Sequence, residues 1–295
     1  MPNGIILLDK PQGLTSNGAL QRVRRAYGAS SAGHVGTLDP MATGMLPMCL
    51  DEATKVIAEI ESGAKCYEFT VLLGARTDTG DAEGQVVDQQ PVPALESGPI
   101  ERALAGFRGT IQQVPPMYSA LKREGRPLYE LARKGIEVER AARTIEIRRL
   151  ELLAAREDAL DLVCECAKGT YIRVLGEDIA RALGTCGHLT RLRRTWVEPF
   201  RDMPMVSLDA ALAAAQDASG LLKPEVALRG LPEAWVTAEQ VVALRHGQAV
   251  RCEVSQVAPG RRVCLYGPGG VFLGLAEPLP DGWLQPRRLM AQKFT

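Results

Sequence analysis

The sequence lacks the features that mark membrane proteins and secreted proteins. It has no apolar run long enough to span a bilayer, and residues 1–8 show no basic region followed by the apolar core of a signal peptide. Its seven cysteines are odd in number and mostly far apart, which fits a reducing compartment better than a disulfide framework. We therefore expect a cytoplasmic protein without membrane association.

Net charge is absent as well, because 35 basic residues balance 35 acidic ones. A nucleic-acid partner remains compatible with the sequence, since a basic face needs a local excess of charge and not a global one. Each basic cluster taken alone is more typical of solvated surface charge. The clusters are Arg22, Arg24 and Arg25; Lys122, Arg123 and Arg126; Arg133 and Lys134; Arg191, Arg193 and Arg194; and Arg287 and Arg288.

Sequence motifs for redox cofactors, nucleotides and metals are missing too. No Gly-x-Gly-x-x-Gly follows a predicted strand, and there is no P-loop. Cys164, Cys166, Cys186 and His188 can be drawn as four zinc ligands, but the alternation of residues 160–166 places both Cys164 and Cys166 on the apolar face of a strand. We predict buried thiols there, with no metal site and no cofactor.

What the sequence does contain is an unusual loop at residues 32–44, Ala-Gly-His-Val-Gly-Thr-Leu-Asp-Pro-Met-Ala-Thr-Gly. It has no long helical or strand periodicity. Pro40 restricts the backbone of the preceding residue, so the side chain of Asp39 is aimed in a fixed direction. A lone Asp-Pro dipeptide favours an ordinary Asx turn. Thirteen residues of this composition favour a shaped functional loop instead.

This loop resembles the catalytic motif of the TruB family, the bacterial tRNA pseudouridine-55 synthases, in which the Asp of Gly-Thr-Leu-Asp-Pro-x-Ala-Thr-Gly is the catalytic carboxylate. Further similar segments follow the family order: Leu-Asp-Lys-Pro-x-Gly-x-Thr-Ser at 8–16, Lys-x-Tyr at 65–67, Arg-Thr-Asp-Thr at 76–79 and Lys-Gly-Thr-Tyr-Ile-Arg at 168–173. The resemblance covers most of the chain. It implies that Asp39 isomerises the uridine at position 55, in the T-loop of tRNA, to pseudouridine by base flipping and without a cofactor.

The resemblance also implies which residues contact the target base. Tyr67 stacks on the base, Leu192 packs against it, and Asp81 accepts a hydrogen bond from a base edge. His34 stacks in the space that the extruded base vacates. Without the resemblance, Tyr67 is an ordinary strand aromatic and His34 a satisfied surface or core residue.

Arg173 is implied to lie beside Asp39. An opposite charge at a few ångströms favours the ionised carboxylate, whereas the alternative for Arg173 is a structural ion pair elsewhere in the fold. Supporting roles in the same pocket fall to Lys10, Lys168 and Tyr171.

The sequence predicts an α+β (mixed α/β) fold. Segments with strand character are expected at 4–8, 65–74, 144–153 and 159–167, and helices at 16–27, 51–61, 98–107, 174–183 and 207–218. The resemblance implies a catalytic domain at residues 1–220, built on a central and mostly antiparallel sheet flanked by helices. A proline-rich and basic excursion near residues 113–140 is interpreted as an RNA clamp.

The C-terminal part is expected to differ from the catalytic domain. Residues 220–232 contain two prolines and two glycines, which is typical of a connector. From residue 235 onward, short strands broken by Gly and Pro predict a small β-barrel. Residues 233–295 resemble the PUA-like RNA-binding module that ends bacterial members of the family.

The implied partner is the T-arm and loop of tRNA, with no protein partner required and a monomer expected. Two other classes of function stay open. A non-catalytic RNA-binding or tRNA-folding protein would use the same basic surfaces and would not need Asp39. A nucleoside or sugar hydrolase would need a second carboxylate, such as Asp81, to activate water.

Overall fold

The computed structural model describes residues 2–291, except residues 120, 124, 133, 218, 253, 255, 256, 258 and 259. Arg133 of the predicted clamp, and the last four residues of the predicted barrel, lie outside the described part. The side chains of Lys122, Arg123 and Arg126 lie outside it too.

Strands provide the framework of the described chain. They are β1 (Gly4–Lys10), β2 (Ala32–His34), β3 (Thr43–Leu50), β4 (Lys65–Leu73), β5 (Ala75–Thr77), β6 (Val86–Gln89), β7 (Gly109–Gln113), β8 (Lys122–Arg123), β9 (Arg126–Pro127), β10 (Arg143–Ala155), β11 (Ala159–Cys166), β12 (Gly187–Val197), β13 (Val206–Ser207), β14 (Glu233–Trp235), β15 (Val250–Arg251), β16 (Val263–Tyr266), β17 (Phe272–Leu279) and β18 (Trp283–Leu289).

Seven α-helices are described beside these strands. They are α1 (Ser16–Ala26), α2 (Ile57–Ser62), α3 (Ser97–Ala105), α4 (Leu128–Ala132), α5 (Ile172–Ala182), α6 (Leu208–Ala213) and α7 (Ala238–Arg245). Side-chain caps fix several of their first turns. The hydroxyl of Thr15 accepts a hydrogen bond from the backbone N–H of Gly18 at the start of α1. Thr237 and Gln240 form a capping box at the start of α7.

Within the described residues, one nine-stranded sheet carries the larger part of the molecule. Its strand order is β13-β1-β3-β12-β4-β11-β10-β7, and β2 pairs with β3. Only the β1–β13 and β3–β12 pairings are parallel. The prediction of a mostly antiparallel sheet therefore agrees with the structure. Strands β3, β12 and β4, which turn out to carry the site, lie next to one another near the middle of this sheet.

A second sheet of five strands forms the C-terminal part, in the order β14-β16-β17-β18-β15. It has its own apolar core, but one face also joins the core of the larger sheet. Cys264, Phe272, Leu275 and Met290 pack in one cluster with side chains of β1 and β3 and with Val35 of the Asp39 loop. The two sheets are therefore joined by a shared core behind that loop.

The segment expected to be a connector, residues 220–232, packs against the larger sheet. The backbone of Leu222 exchanges two hydrogen bonds with Ile5, at 2.8 and 2.9 Å. Residues 224–228 then form a 3₁₀ turn, whose Ala227 and Leu228 are buried in the shared core. The prolines and glycines shape this path over the surface of the sheet instead of loosening it.

Other local expectations also need correction. The helix expected at 51–61 begins as a 3₁₀ turn over Asp51–Val56 and becomes α-helical only in α2. The loop at 32–44 is flanked by β2 and the start of β3, which the sequence did not predict, so its irregular part is confined to residues 35–42. Helix α7 was not predicted either, because the whole region from residue 235 onward was interpreted as short strands.

Candidate active site

A pocket of about 750 Å³ opens beside Asp39, which is a volume suited to a base or nucleotide. Its walls come from the loop that carries Asp39, helix α2, strands β4, β10 and β12, residues 168–173, and Tyr118, Ser119 and Leu121 of the excursion. The side chains that matter most to the chemistry are Asp39, Lys65, Tyr67, Lys168, Tyr171, Ile172, Arg173, Leu192 and Arg194. Segments far apart in sequence thus converge on one cavity.

The Asp39 loop is fastened to the turn between β1 and α1. The buried ammonium of Lys10 donates to the carbonyls of Leu14 at 2.7 Å, Pro11 at 2.9 Å and Pro40 at 3.3 Å. The hydroxyl of Ser16 donates to the carbonyl of Leu38 and accepts from its N–H, at 2.9 and 2.8 Å. Lys10 therefore lies beneath the loop, where a supporting residue is expected.

Arg173 is the cation next to Asp39. Its Nε lies 3.0 Å from Asp39 Oδ2 and 3.7 Å from Asp81 Oδ2. Its two terminal nitrogens donate to the carbonyls of Thr79 and Tyr118, each at 2.7 Å. Arg173 is buried, and contacts on every side fix its guanidinium in one orientation.

The ionisation of Asp39 reflects two opposing influences. Burial raises the pKa of this carboxyl above its ordinary value, while the charge of Arg173 and its hydrogen bond act in the other direction. Burial is the larger effect. The expectation that Arg173 favours the ionised form agrees with the sign of its contribution, but the net shift of the pKa is upward.

Asp81 is a second carboxylate close to Arg173. It is buried and lies outside the pocket lining, and its Oδ1 accepts hydrogen bonds from the Thr79 hydroxyl at 2.7 Å and from the Glu83 N–H at 3.1 Å. Its other oxygen faces Arg173. The structure therefore places Asp81 behind Arg173, with its carboxylate engaged by protein groups.

Tyr67 and Leu192 line the same pocket from adjacent strands. Both are buried, and burial raises the pKa of the Tyr67 hydroxyl to about 12. Lys65, two residues before Tyr67 on β4, also lines the pocket. Its ammonium donates to the carbonyls of Glu61 and Gly63, and burial lowers its pKa to about 8.

The remaining predicted residues divide into two groups. Lys168 and Tyr171 line the pocket. His34 does not: it lies on β2, its Nδ1 is buried without a hydrogen-bond partner, and burial lowers the pKa of its ring. The structure therefore brings Asp39, Tyr67, Arg173, Leu192, Lys168 and Tyr171 to one cavity and leaves His34 beside it.

Sequence reasoning missed several residues that shape the site. Gln113 holds the backbone of Tyr171 by two hydrogen bonds, at 2.8 and 3.1 Å, and Tyr118 supplies a carbonyl to Arg173. Both lie in the proline-rich segment, whose sequence suggested an RNA clamp but no contact with the Asp39 pocket. Arg194 was placed in a basic surface cluster, which is wrong, because its side chain is buried in the pocket floor.

Comparison with known proteins identifies the family. The model described as "TruB family pseudouridylate synthase (N terminal domain)" matches residues 24–172. The chain belongs to the TruB family. Two further TruB models match next to it, "tRNA pseudouridylate synthase B C-terminal domain" over 173–231 and "Pseudouridine synthase II TruB, C-terminal" over 232–290. The expected family and the expectation of a pseudouridine synthase are both confirmed.

Full-length relatives support TruB membership. The chain is 49% identical over 290 residues to tRNA pseudouridine synthase B of Chromohalobacter salexigens, which covers 98% of this chain and 94% of the relative. It is 50% identical over 295 residues to the protein of the same name from Aromatoleum aromaticum, covering 99% and 94%.

Solved structures confirm the mixed α/β fold. A chain of the "Cbf5-Nop10-Gar1 Complex" superposes with a TM-score of 0.73 at 26% identity, covering 95% of this chain and 80% of that one. A chain from the "H/ACA RNP bound to a substrate RNA containing 2'-deoxyuridine" gives a TM-score of 0.75 at 21% identity, covering 99% and 86%. The second likeness concerns the fold alone.

Proposed function

We propose that this TruB-family chain isomerises the uridine at position 55, in the T-loop of tRNA, to pseudouridine, with Asp39 as the catalytic carboxylate. The observation that carries the proposal is the ion pair of Asp39 with buried Arg173 in a pocket of suitable volume. The tRNA substrate follows from the full-length relatives, which are named tRNA pseudouridine synthase B.

The reaction breaks the bond between ribose C1′ and uracil N1 and rejoins the base through C5, with no atom gained or lost overall. Asp39 either attacks C1′ or removes a ribose proton to give a glycal, and both routes need the ionised carboxylate within reach of the sugar. Arg173 favours that ionised form. We assign it the role of holding and orienting Asp39.

The detached uracil has to stay in the pocket while it turns. Tyr67 and Leu192 flank the space beside Asp39 and are assigned the contacts with the base. Apolar walls exclude water, which would otherwise capture the sugar. Lys168 and Tyr171 complete the wall near Arg173, Lys10 supports the loop from below, and His34 is assigned the space left by the extruded base.

A hydrolase that uses Asp81 as its second carboxylate is disfavoured by the position of Asp81. Water activation requires a carboxylate that faces the substrate across the cleaved bond. Asp81 is buried behind Arg173 and bonded to Thr79 and Glu83. We assign Asp81 to the support of Arg173, and its contact with a base edge stays a prediction.

The domain division at residues 1–220 and 233–295 stays a prediction, as do RNA binding by the C-terminal sheet and clamping by residues 113–140. No helix in the described part of the chain is long and apolar enough to cross a membrane. We infer a cytoplasmic enzyme that acts on tRNA as a monomer, without a protein partner. Its seven cysteines all lie in the described part and form no disulfides there, which fits a reducing compartment.

The test is to incubate the purified protein with unmodified tRNA transcript and to map pseudouridine along it. We expect one modified position, the T-loop uridine, in a reaction that continues after chelation of metal ions. A transcript in which that uridine is replaced by cytidine serves as the matched control. Free uracil in place of pseudouridine would identify a hydrolase, and binding without modification would identify an RNA-binding or RNA-folding protein.

A further inference from the structure

Arg194 is a buried arginine that the roles assigned above leave unexplained. Its side chain is 1% exposed and lines the pocket. Its guanidinium donates to the carbonyls of Met45 at 2.7 Å, Gly36 at 2.9 Å and Val35 at 3.1 Å. Across the described ranges, no carboxylate forms an ion pair with it. Because a buried charge without a counter-ion is costly, packing alone does not account for an arginine here.

The strand register places Arg194 between the two halves of the site. On one side it pairs with Tyr67 of β4, and on the other with Gly44 at the start of β3. Directly opposed residues on neighbouring strands project to the same face and interact. The Arg194 guanidinium accordingly contacts the Tyr67 hydroxyl while holding the carbonyls on either side of the Asp39 loop.

Because the Arg194 guanidinium offers only hydrogen-bond donors, it determines the direction in which the Tyr67 O–H points. A guanidinium has five N–H donors and no acceptor, so at this contact the phenol oxygen of Tyr67 can act only as an acceptor. The O–H proton then points away from Arg194. Because Tyr67 lines the pocket, the hydroxyl is available as a donor to whatever occupies it.

Resting on the isomerase function proposed above, we propose that Arg194 is a positioning residue that aims the Tyr67 hydroxyl at a carbonyl oxygen of the detached uracil. When the C1′–N1 bond breaks, the base retains the bonding electron pair, and negative charge spreads to its carbonyl oxygens. A donor already oriented toward that charge stabilises the transition state without reorganisation. The same guanidinium keeps Tyr67 in a fixed relation to Asp39.

A double-mutant cycle tests this role. Tyr67→Phe, Arg194→Met and the double variant are compared with the parent in single-turnover reactions on saturating tRNA. We expect each single variant to lower the rate constant about 100-fold, as for other donors aimed at developing charge, with tRNA affinity unchanged. In the Tyr67→Phe background, Arg194→Met should lower the rate by a clearly smaller factor than it does alone, because the part of its effect that acts through the Tyr67 hydroxyl is already lost. Arg194→Lys, which keeps the charge but not the forked donors, should restore part of the rate.

Lys65→Met is the matched control, because Lys65 is another buried cation of the pocket, and its ammonium donates to the carbonyls of Glu61 and Gly63. Its effect should add fully to that of Tyr67→Phe. If Arg194→Met fails to fold, the cycle is measured with Arg194→Lys, and melting curves identify folded variants. Additive effects of Arg194 and Tyr67 in an active parent would overturn the positioning role. A parent that forms no pseudouridine would instead overturn the proposed function.

Discussion

Asp39 is a half-buried carboxylate whose pKa is raised by burial and lowered by Arg173. Because both candidate routes use the ionised form, the rate should fall as the pH falls through a pKa above the ordinary value of 3.8. Arg173→Met removes the opposing charge and should move this acid limb to still higher pH, besides lowering the rate. Single-turnover rates across the acidic range measure the shift. Arg173→Lys is the control that keeps the charge, and an acid limb that moves downward in Arg173→Met would contradict this electrostatic account.

Gly44 is a second residue whose identity is set by the site. Its φ is +100°, and a Cβ there would lie 2.1 Å from the carbonyl oxygen of Arg194. We expect Gly44→Ala to destabilise the fold by at least about 2 kcal/mol, since neither the conformation nor the backbone contact is tolerated. Denaturant unfolding measures the loss.

Gly28→Ala is the matched control for Gly44→Ala. Gly28 also has a positive φ, of +61°, but a Cβ there would meet no atom within 4 Å. Gly28→Ala should therefore lower the free energy of unfolding only through conformational strain, by about 1–2 kcal/mol. Equal losses at the two positions would show that the close approach to Arg194 contributes nothing.

The excursion at residues 113–140 contacts the site through its first residue, Gln113. Gln113 makes two hydrogen bonds to the backbone of Tyr171, immediately before α5 and Arg173. Gln113→Leu keeps the size of the side chain but leaves those backbone groups unpaired. We expect a loss of about 1–3 kcal/mol in unfolding free energy and a lower rate of isomerisation.

The adjacent Gln112 supplies the control for that prediction. Its amide donates to the exposed hydroxyl of Thr144, at 2.9 Å. Gln112→Leu should change stability by less than about 0.5 kcal/mol, as is usual for surface substitutions. If the two variants behave alike in unfolding and in single-turnover assays, the Gln113 hydrogen bonds do not stabilise the site.

Periodicity predicted the elements whose apolar faces alternate regularly, including β4, β10, β11 and α5. Strand β12 escaped prediction for a physical reason: bulges between Leu189 and Arg191 and between Arg194 and Trp196 interrupt its period of two. Arginine is also rarely buried, so the sequence placed Arg194 on the surface. Arg193, in contrast, is partly exposed and pairs with Asp9 through two contacts, at 2.8 and 2.9 Å.

Among the site residues, too, some positions could be predicted from the sequence and others could not. The pairing of Asp39 with Arg173 was accessible only through the family resemblance, because 134 positions separate them in the sequence and no local pattern connects them. The place of Asp81 behind Arg173 was not accessible at all. It depends on how the turn at residues 77–84 packs against α5, which is a tertiary contact.

At the scale of the whole molecule, the C-terminal sheet shares a core with the sheet that carries Asp39. Phe272 packs in the shared cluster, whereas its neighbour Leu273 packs in the core of the C-terminal sheet alone. Phe272→Ala should lower the free energy of unfolding by about 3–5 kcal/mol, and Leu273→Ala by slightly less. Only Phe272→Ala should speed hydrogen exchange in β1 and β3.

Leu273→Ala is thus the control that shows whether destabilising the C-terminal sheet alone changes hydrogen exchange in the larger sheet. Faster exchange in β1 and β3 in both variants, or in neither, would contradict the structural coupling of the two sheets. If the coupling holds, the C-terminal sheet stabilises the rear of the Asp39 loop in addition to any contact that it makes with RNA.

The catalytic role of Asp39 is tested by comparing Asp39→Asn with the parent on the same tRNA transcript, with binding and pseudouridine measured in parallel. Asn keeps the size of the side chain and removes the charge and the nucleophile. We predict unchanged tRNA affinity and no pseudouridine above background. Isomerisation by Asp39→Asn at a rate near that of the parent would contradict the assignment of Asp39 as the catalytic carboxylate.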